Sequence, residues 1–361
     1  MRTASSPAFS NWCRSLEVAG RNPSSPVHTK TRTMTPHIFN PALEPLRGAY
    51  LELTELTAAR LSAGGLAPHR RQRTLGQLLG DLRSSLRGRG LEFEEVRGYQ
   101  AGDDVRNIDW RVTARAGRPF TKLFREERER PLLLVVDQRQ PMFFGSHTCF
   151  KAKLAGYLGA LLAWAGLQQG DRIGGLIFGN DGRHEIRPRR SRKTALLWLN
   201  ALHDFNRRLR RDTHLAGSGD AAKDNAASLV AALADLRRIA RPGSAIFIIS
   251  DFAGAEDPQV RELLYSLARH CEITAVYVFD PLERELPPPA LYMVTDGVQR
   301  TVLDSGARAV RARHRESFEQ RRAALQQLLA GVGIPLVDAP TDQPPLAIFR
   351  QQRAQLRRSA R

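Results

Sequence analysis

The chain has 361 residues, 42% of them hydrophobic, with 55 Lys and Arg against 37 Asp and Glu and a formal net charge of +18. That length holds two domains, or one α/β domain with an appended module, and the apolar share supplies a sizeable core. The charge favours anionic partners (nucleic acid, an acidic protein face or a lipid surface), although solvated faces and tails are the plainer reading of charge spread this evenly. The three cysteines, Cys13, Cys149 and Cys271, lie far apart, which excludes a disulfide framework or a cysteine zinc site and fits a reduced, cytosolic setting.

Residues 1–37 are rich in Ser, Thr, Pro and Arg without periodicity, so a disordered tail is expected, with Met1 and Met34 as alternative starts of translation. No apolar segment of a signal peptide is visible there. The longest apolar stretch, Leu154 to Leu167, has 14 residues, fewer than the roughly 20 that span a bilayer. A soluble, cytoplasmic chain without a membrane span is the expectation. Residues 41–65 carry leucines at helical spacing and end in Gly-Gly, which predicts one amphipathic helix before a basic arm, His69–Arg87. Residues 88–130 alternate acids and bases around GDD (Gly102, Asp103, Asp104), IDW (Ile108, Asp109, Trp110) and TAR (Thr113, Ala114, Arg115). Turn signals at Gly98, Gly102 and Gly117 predict short strands and turns here.

From residue 131 the pattern becomes a strand–helix alternation. Strands are predicted at 132–136, 172–178, 245–249, 273–279 and 334–337, and helices at 150–168, 192–209, 226–239, 258–269 and 307–329. Hairpins are predicted at 172–187 and 291–303, and a polar linker at 212–223. Continuously apolar strands separated by helices predict an α/β fold: a doubly wound, mostly parallel sheet, here with a small β-rich module on its N-terminal side. The expected domains are a tail at 1–37, the helix, arm and charged block at 38–130, the sheet domain at 131–340, and a basic, helix-forming tail at 341–361. There is no GxxxxGK[ST] loop, no GxSxG elbow and no HExxH, so none of these routes to catalysis is open. The histidines are scattered, and His147 beside Cys149 is no catalytic dyad.

The stretches EFEEVRGYQAGDDVRNIDWRVTAR, GDRIGGLIF and IFIISDF, with the strand that ends at Asp137, resemble the bacterial domain-of-unknown-function 58 family. The resemblance runs over roughly residues 75 to 340. It implies a von Willebrand factor A-like domain of the MoxR-associated type, joined to a charged block whose residues here are Arg97, Tyr99, Gly102, Asp103, Asp104, Arg106, Asp109, Trp110 and Arg115. Such domains hold a divalent cation through Asp-x-Ser-x-Ser, a Thr from a second loop and an Asp from a third. Here Asp137 is kept, the serine positions hold Arg139 and Pro141, Asp251 matches the third-loop Asp, and Ser228 is a weak stand-in for the Thr.

Arg offers no acceptor and carries a fixed charge, and Pro has no side-chain oxygen. The expectation is therefore a degenerate metal site, with Arg139 neutralising Asp137 and Asp251 in place of the ion. A cofactor is not expected. Mg²⁺ completed by other oxygens stays open, as does Asp137 merely capping the following turn. For Asp103, Asp104 and Asp109 the plain reading is ion pairing with Arg97, Arg106, Arg111 and Arg115. Metal binding or acid–base work is the alternative, and Tyr99 and Trp110 are read as packing residues.

The resemblance implies a non-enzymatic binding or adaptor protein that works with a MoxR-type AAA+ ATPase and an unknown protein client in maturation or complex assembly. One alternative is a metal-dependent hydrolase using Asp103, Asp104, Asp137 and Asp251. The other, a nucleic-acid binder, is disfavoured because the aromatics do not interleave with the basic runs.

Overall fold

The computed structural model describes residues 16–17, 42–66, 91–100, 105–126, 131–180, 182–209, 221–295 and 300–350. The elements in chain order are β1 (Leu16–Glu17), α1 (Leu53–Ser62), β2 (Leu91–Gly98), α2 (Trp110–Ala116), β3 (Phe120–Glu126), β4 (Pro131–Gln138), α3 (Lys151–Gln168), β5 (Arg172–Gly179), β6 (Gly182–Arg189), α4 (Arg192–Arg208), α5 (Ala221–Ile239), β7 (Ala245–Ser250), α6 (Pro258–Ala268), β8 (Glu272–Phe279), α7 (Pro281–Arg284), β9 (Leu291–Thr295), β10 (Arg300–Asp304), α8 (Arg308–Ala330) and β11 (Leu336–Pro340). Two compact units emerge. One lies within Arg70–Arg130, and the other takes the segments before and after it.

In the larger unit a six-stranded sheet has the order β11-β8-β7-β4-β5-β6. All its pairings are parallel except the edge pair β5–β6. Apolar runs such as Leu132–Val136 are buried along their whole length because both faces are covered. One face packs on a cluster containing Leu56, Trp164, Trp198 and Leu202, from α1, α3 and α4. The other packs on Leu233, Leu264, Phe318 and Leu329, from α5, α6 and α8. The chain winds from β4 to β5 on one side and resumes at β7 on the other, so the order reverses between β4 and β7. Open α/β sheets place their ligand sites outside the carboxyl ends at such a reversal.

Several boundaries differ from the sequence expectations. The first helix covers only Leu53–Ser62 and belongs with the sheet, not with the charged block. It docks on α3 through Trp164 Nε1, which donates to the Leu56 carbonyl at 2.9 Å, and through the Lys153–Glu55 pair at 2.8 Å. Within the segment read as a disordered tail, Leu16–Glu17 pairs with β9. At the other end, residues 345–350 are helical, and Leu346, Ile348 and Phe349 are buried in the core, so the segment after 340 is not simply a solvated basic tail.

The smaller unit is a hairpin, β2 against β3, with one helix set into its connection. Turns and strands were expected here, and α2 was not. Asp109 caps it, accepting from the backbone of Arg111 at 3.0 Å and Val112 at 3.2 Å. Gly117 ends it in the left-handed region at φ 66°, and Thr113 Oγ1 accepts from Phe120 N at 3.0 Å, fastening the helix to β3. The IDW and TAR residues thus encode a capped helix and its anchor.

Candidate functional site

Asp137 lies in the last turn-ward register of β4 and is fully buried. Both its oxygens are occupied. Oδ1 accepts from Arg139 N at 2.9 Å and Arg139 Nε at 3.0 Å. Oδ2 accepts from Arg139 Nη2 at 2.7 Å, Arg139 Nε at 3.1 Å and Ser250 Oγ at 2.6 Å. The backbone bond is the short local turn that an Asp makes two residues on, so Asp137 caps the turn and also holds the guanidinium.

Arg139 is fully buried as well. Its Nη1 donates to the Asn225 carbonyl at 2.7 Å and the Ala253 carbonyl at 2.9 Å, and its Nη2 lies 3.6 Å from Asp251 Oδ1. The Phe178 ring sits 5.2 Å from the guanidinium carbon. The turn that presents Ala253 contains Phe252 at φ 53°, a left-handed conformation that is strained for an aromatic residue. Burial by itself would lower the Arg139 pKa, but the charge of Asp137, with that of Asp251 behind it, outweighs burial and the pKa is raised.

A second cation extends the centre. Lys151, at the start of α3, places Nζ 3.0 Å from Asp251 Oδ2 and 2.9 Å from Glu283 Oε1. Burial would lower its pKa, yet Asp251 and Glu283 together raise it. Asp251 is lowered: burial pushes it up, and Lys151 and then Arg139 pull it down further. The result is a chain of five charged groups, Asp137–Arg139–Asp251–Lys151–Glu283, running from the fully buried strand end toward the half-buried α7.

Beside it, Asp280 is fully buried and staples three segments together. It accepts from Ser146 N at 2.9 Å, from Ser146 Oγ, from Thr341 Oγ1 at 2.7 Å and from Leu282 N at 3.0 Å. On the other flank, Gln138 Nε2 donates to the Ala152 carbonyl, Asn206 Nδ2 to Gln138 Oε1, and Leu51 N to Asn206 Oδ1, at 3.0, 2.9 and 2.7 Å. These amides tie β4 to α3, α4 and the loop before α1.

Do these groups fit a divalent cation? Mg²⁺ needs six oxygens with free lone pairs. Here the Asp137 oxygens are saturated by fixed N–H and O–H donors, and two cations stand among the carboxylates. Half-buried Pro141, in the turn Gln140–Met142, offers no side-chain oxygen. Ser228 is half-buried on α5 and makes none of the hydrogen bonds of the centre. No group of three or more His, Cys, Asp or Glu able to hold a metal occurs among the described residues. The donor set does not fit the ion.

The charged block sits in the smaller unit. Gly102, Asp103 and Asp104 lie outside the described residues. Arg97 is on β2, and Tyr99 follows it, half-buried, with its N–H donating to the Pro119 carbonyl at 2.9 Å. Arg106 and Arg115 are exposed. Trp110, read as a packing residue, is 70% exposed, because it is the first residue of α2 and that helix buries none of its side chains. Asp109 spends its carboxylate on the helix cap.

Sequence reasoning did not find Lys151, Glu283, Ser250 or Asp280. Lys151 had a signal, a lysine at the mouth of an otherwise apolar helix. Glu283 had none, since α7 is a single short turn.

The chain matches the family described as Protein of unknown function DUF58 over residues 95–325. Uncharacterized protein Rv1480 of Mycobacterium tuberculosis (strain ATCC 25618 / H37Rv) and Uncharacterized protein Mb1516 of Mycobacterium bovis are each 31% identical to it over 291 residues, 80% of this chain and 87% of the relative. The chain belongs to that family. Among solved structures, the conserved hypothetical protein BatB from Bacteroides thetaiotaomicron is similar at 14% identity and a TM-score of 0.36, over 63% of this chain and 99% of that one. An aerotolerance-related membrane protein from Bacteroides fragilis is similar at 12% identity and a TM-score of 0.37, with the same coverage. Likenesses at that level carry no argument.

Proposed function

We propose that this chain is a non-enzymatic binding or adaptor protein on a von Willebrand A-like fold, working with a MoxR-type AAA+ ATPase in protein maturation or complex assembly. In this reading the metal-ion site at the strand ends has become an internal ion-pair centre. The observation that carries it is the fully buried Arg139 guanidinium, which takes both oxygens of Asp137 and reaches Asp251. A carboxylate whose lone pairs are spent on fixed donors neither activates water nor relays a proton. What remains is a rigid top surface on a ligand-binding architecture. The sequence has no GxxxxGK[ST] loop, so in this reading ATP-driven work comes from a partner. The kind of partner rests on the family resemblance, which is analogy.

Affinity purification of the intact chain from its native cell, with and without ATP, tests the partnership. The expected result is co-purification of an AAA+ ATPase in a nucleotide-dependent manner, and its consistent absence overturns the partnership. Calorimetry with Mg²⁺ tests the centre. The unmodified chain is expected to give no binding heat, whereas Arg139→Ser with Pro141→Ser, which removes the cation and adds two hydroxyls, gains affinity. Strong Mg²⁺ binding by the unmodified chain, lost in Asp137→Ala, returns the site to a metal centre and revives a hydrolase.

A further inference from the structure

Among the described residues the sheet ends at β11, which pairs on one side only, with β8. Ala275 N donates to the Pro335 carbonyl and Thr341 N to the Phe279 carbonyl, each at 3.0 Å. In a parallel ladder alternate residues face the same neighbour, so residues 335, 337, 339 and 341 face β8. The main-chain groups of Leu336 and Asp338 therefore point away from the sheet, whereas the Pro340 carbonyl accepts from Gln343 N at 3.3 Å. Along that open side runs a cavity of about 540 Å³. Arg322, Gln326 and Ala330, a stripe of α8, line it on one side, and Gln343 and Ile348 line it on the other. Those two walls stand on opposite faces of the sheet, because α8 packs in one core cluster and Ile348 in the other. The space between them is where a seventh strand would lie.

Two polar groups without a protein partner among the described residues border this slot, one buried and one exposed. The Gln343 Oε1 atom is buried without a hydrogen-bond partner among the described residues. Arg284, at its α7 end, is exposed and makes no ion pair or hydrogen bond among them, whereas Arg322 is already held by Asp338, with Nε–Oδ1 at 3.2 Å.

We propose that the slot takes an extended, acidic segment of a partner protein, added to β11 as a short parallel or antiparallel strand. Main-chain bonds to Leu336 and Asp338 would supply affinity, and a carboxylate on Arg284 would supply selectivity. Charge decides against the other occupants. Residues 351–361 hold four arginines and no acid, and a second copy of the chain brings a formal net charge of +18. The two outward N–H groups, bracketed by Pro335 and Pro340, keep the addition short and guard the edge against indiscriminate pairing.

This inference deepens the binding-protein reading and rests on it, but it lies away from the Asp137 centre and is tested without any ATPase. The probe is a fluorescein-labelled decapeptide of alternating Glu and Val, titrated with the full chain and followed by anisotropy. Saturable binding is expected, with Arg284→Glu weakening it by about tenfold or more. N-methylation of alternate probe amides is expected to abolish binding, and hydrogen exchange to slow at Leu336 and Asp338 when the unmodified probe is bound. No binding, equal binding by Arg284→Glu or by a Lys–Val probe, or protection elsewhere overturns the proposal. A rise in probe affinity on ending the chain at residue 350 also overturns it, by assigning the slot to the chain's own terminus. Loss of the ATPase partner with probe binding intact removes only the function proposed above.

Discussion

Arg139 brings a fixed charge into a place without water, and such a charge is tolerated only when every donor is met. Each guanidinium nitrogen donates here, to one carboxylate or to main-chain carbonyls, and Nη2 also lies 3.6 Å from Asp251 Oδ1. Removing the side chain leaves Asp137 and Asp251 facing each other across the space it filled. Arg139→Ala is therefore expected to destabilise the fold by about 3–5 kcal/mol, the usual cost of breaking a buried pair from one side. Urea unfolding of the two proteins checks this. A change under about 1 kcal/mol would mean that Arg139 contributes little to the centre.

Asp251 gives the same centre a pH signature. Its folded pKa is lowered, by Lys151 and Arg139 acting against burial. A depressed carboxylate stabilises the fold fully above its unfolded value, about 3.9, and that stability is lost as pH falls through the folded value. The Asp251 contribution to the melting temperature should hold level through neutral pH and be lost below about pH 4. Asp251→Asn should start lower at neutral pH and show a shallower acid limb. Parallel acid limbs in the two proteins would contradict the linkage.

At the scale of elements, the register of β4 against β5 sets where Asp137 emerges. Gly175 sits in that ladder opposite Leu134. Its φ is 152°, and a Cβ there would lie 2.0 Å from the Leu134 carbonyl oxygen. Neither strand can yield without breaking parallel hydrogen bonds, so Gly175→Ala is expected to cost roughly 3 kcal/mol from strain and overlap together. Thermal unfolding measures it, and an unchanged midpoint would show that the strands separate more freely than their pairing implies. The elements that escaped sequence reading are the short ones. α2 runs for seven residues and shows no apolar stripe, so its only sequence marks are the Asp109 cap and the Gly117 stop. The long apolar strands and the helices between them were legible because their periods repeat over many residues.

For the whole molecule, the two compact units have different means of support. The larger one has two core clusters, one on each face of its sheet. The smaller one has, among its described residues, a two-stranded hairpin and a helix that buries none of its side chains and carries Trp110 at 70% exposure. Isolated two-stranded hairpins are marginal in water. Residues 88–130 expressed alone are expected to unfold without a cooperative transition in circular dichroism. A sharp, reversible melt would show that the block is a self-sufficient module.

The residue order alone determined that this is an α/β chain with a mostly parallel sheet, that no GxxxxGK[ST] loop is present, and that a cation, Arg139, follows the strand-end Asp137 two residues on. Those properties are local. They follow from apolar runs, helical spacing and the identity of one residue next to another. Only the tertiary structure decided that Arg139 reaches Asp251, that Lys151 and Glu283 complete the ion-pair chain, that Asp280 staples Ser146 to Thr341, that the first helix belongs to the sheet, and that a cavity lies beside β11. Each of these depends on which distant segments the crossing of the chain brings side by side. Spacing along the sequence carries no record of contacts made a hundred residues or more apart, such as Lys151 with Asp251 or Ser146 with Asp280.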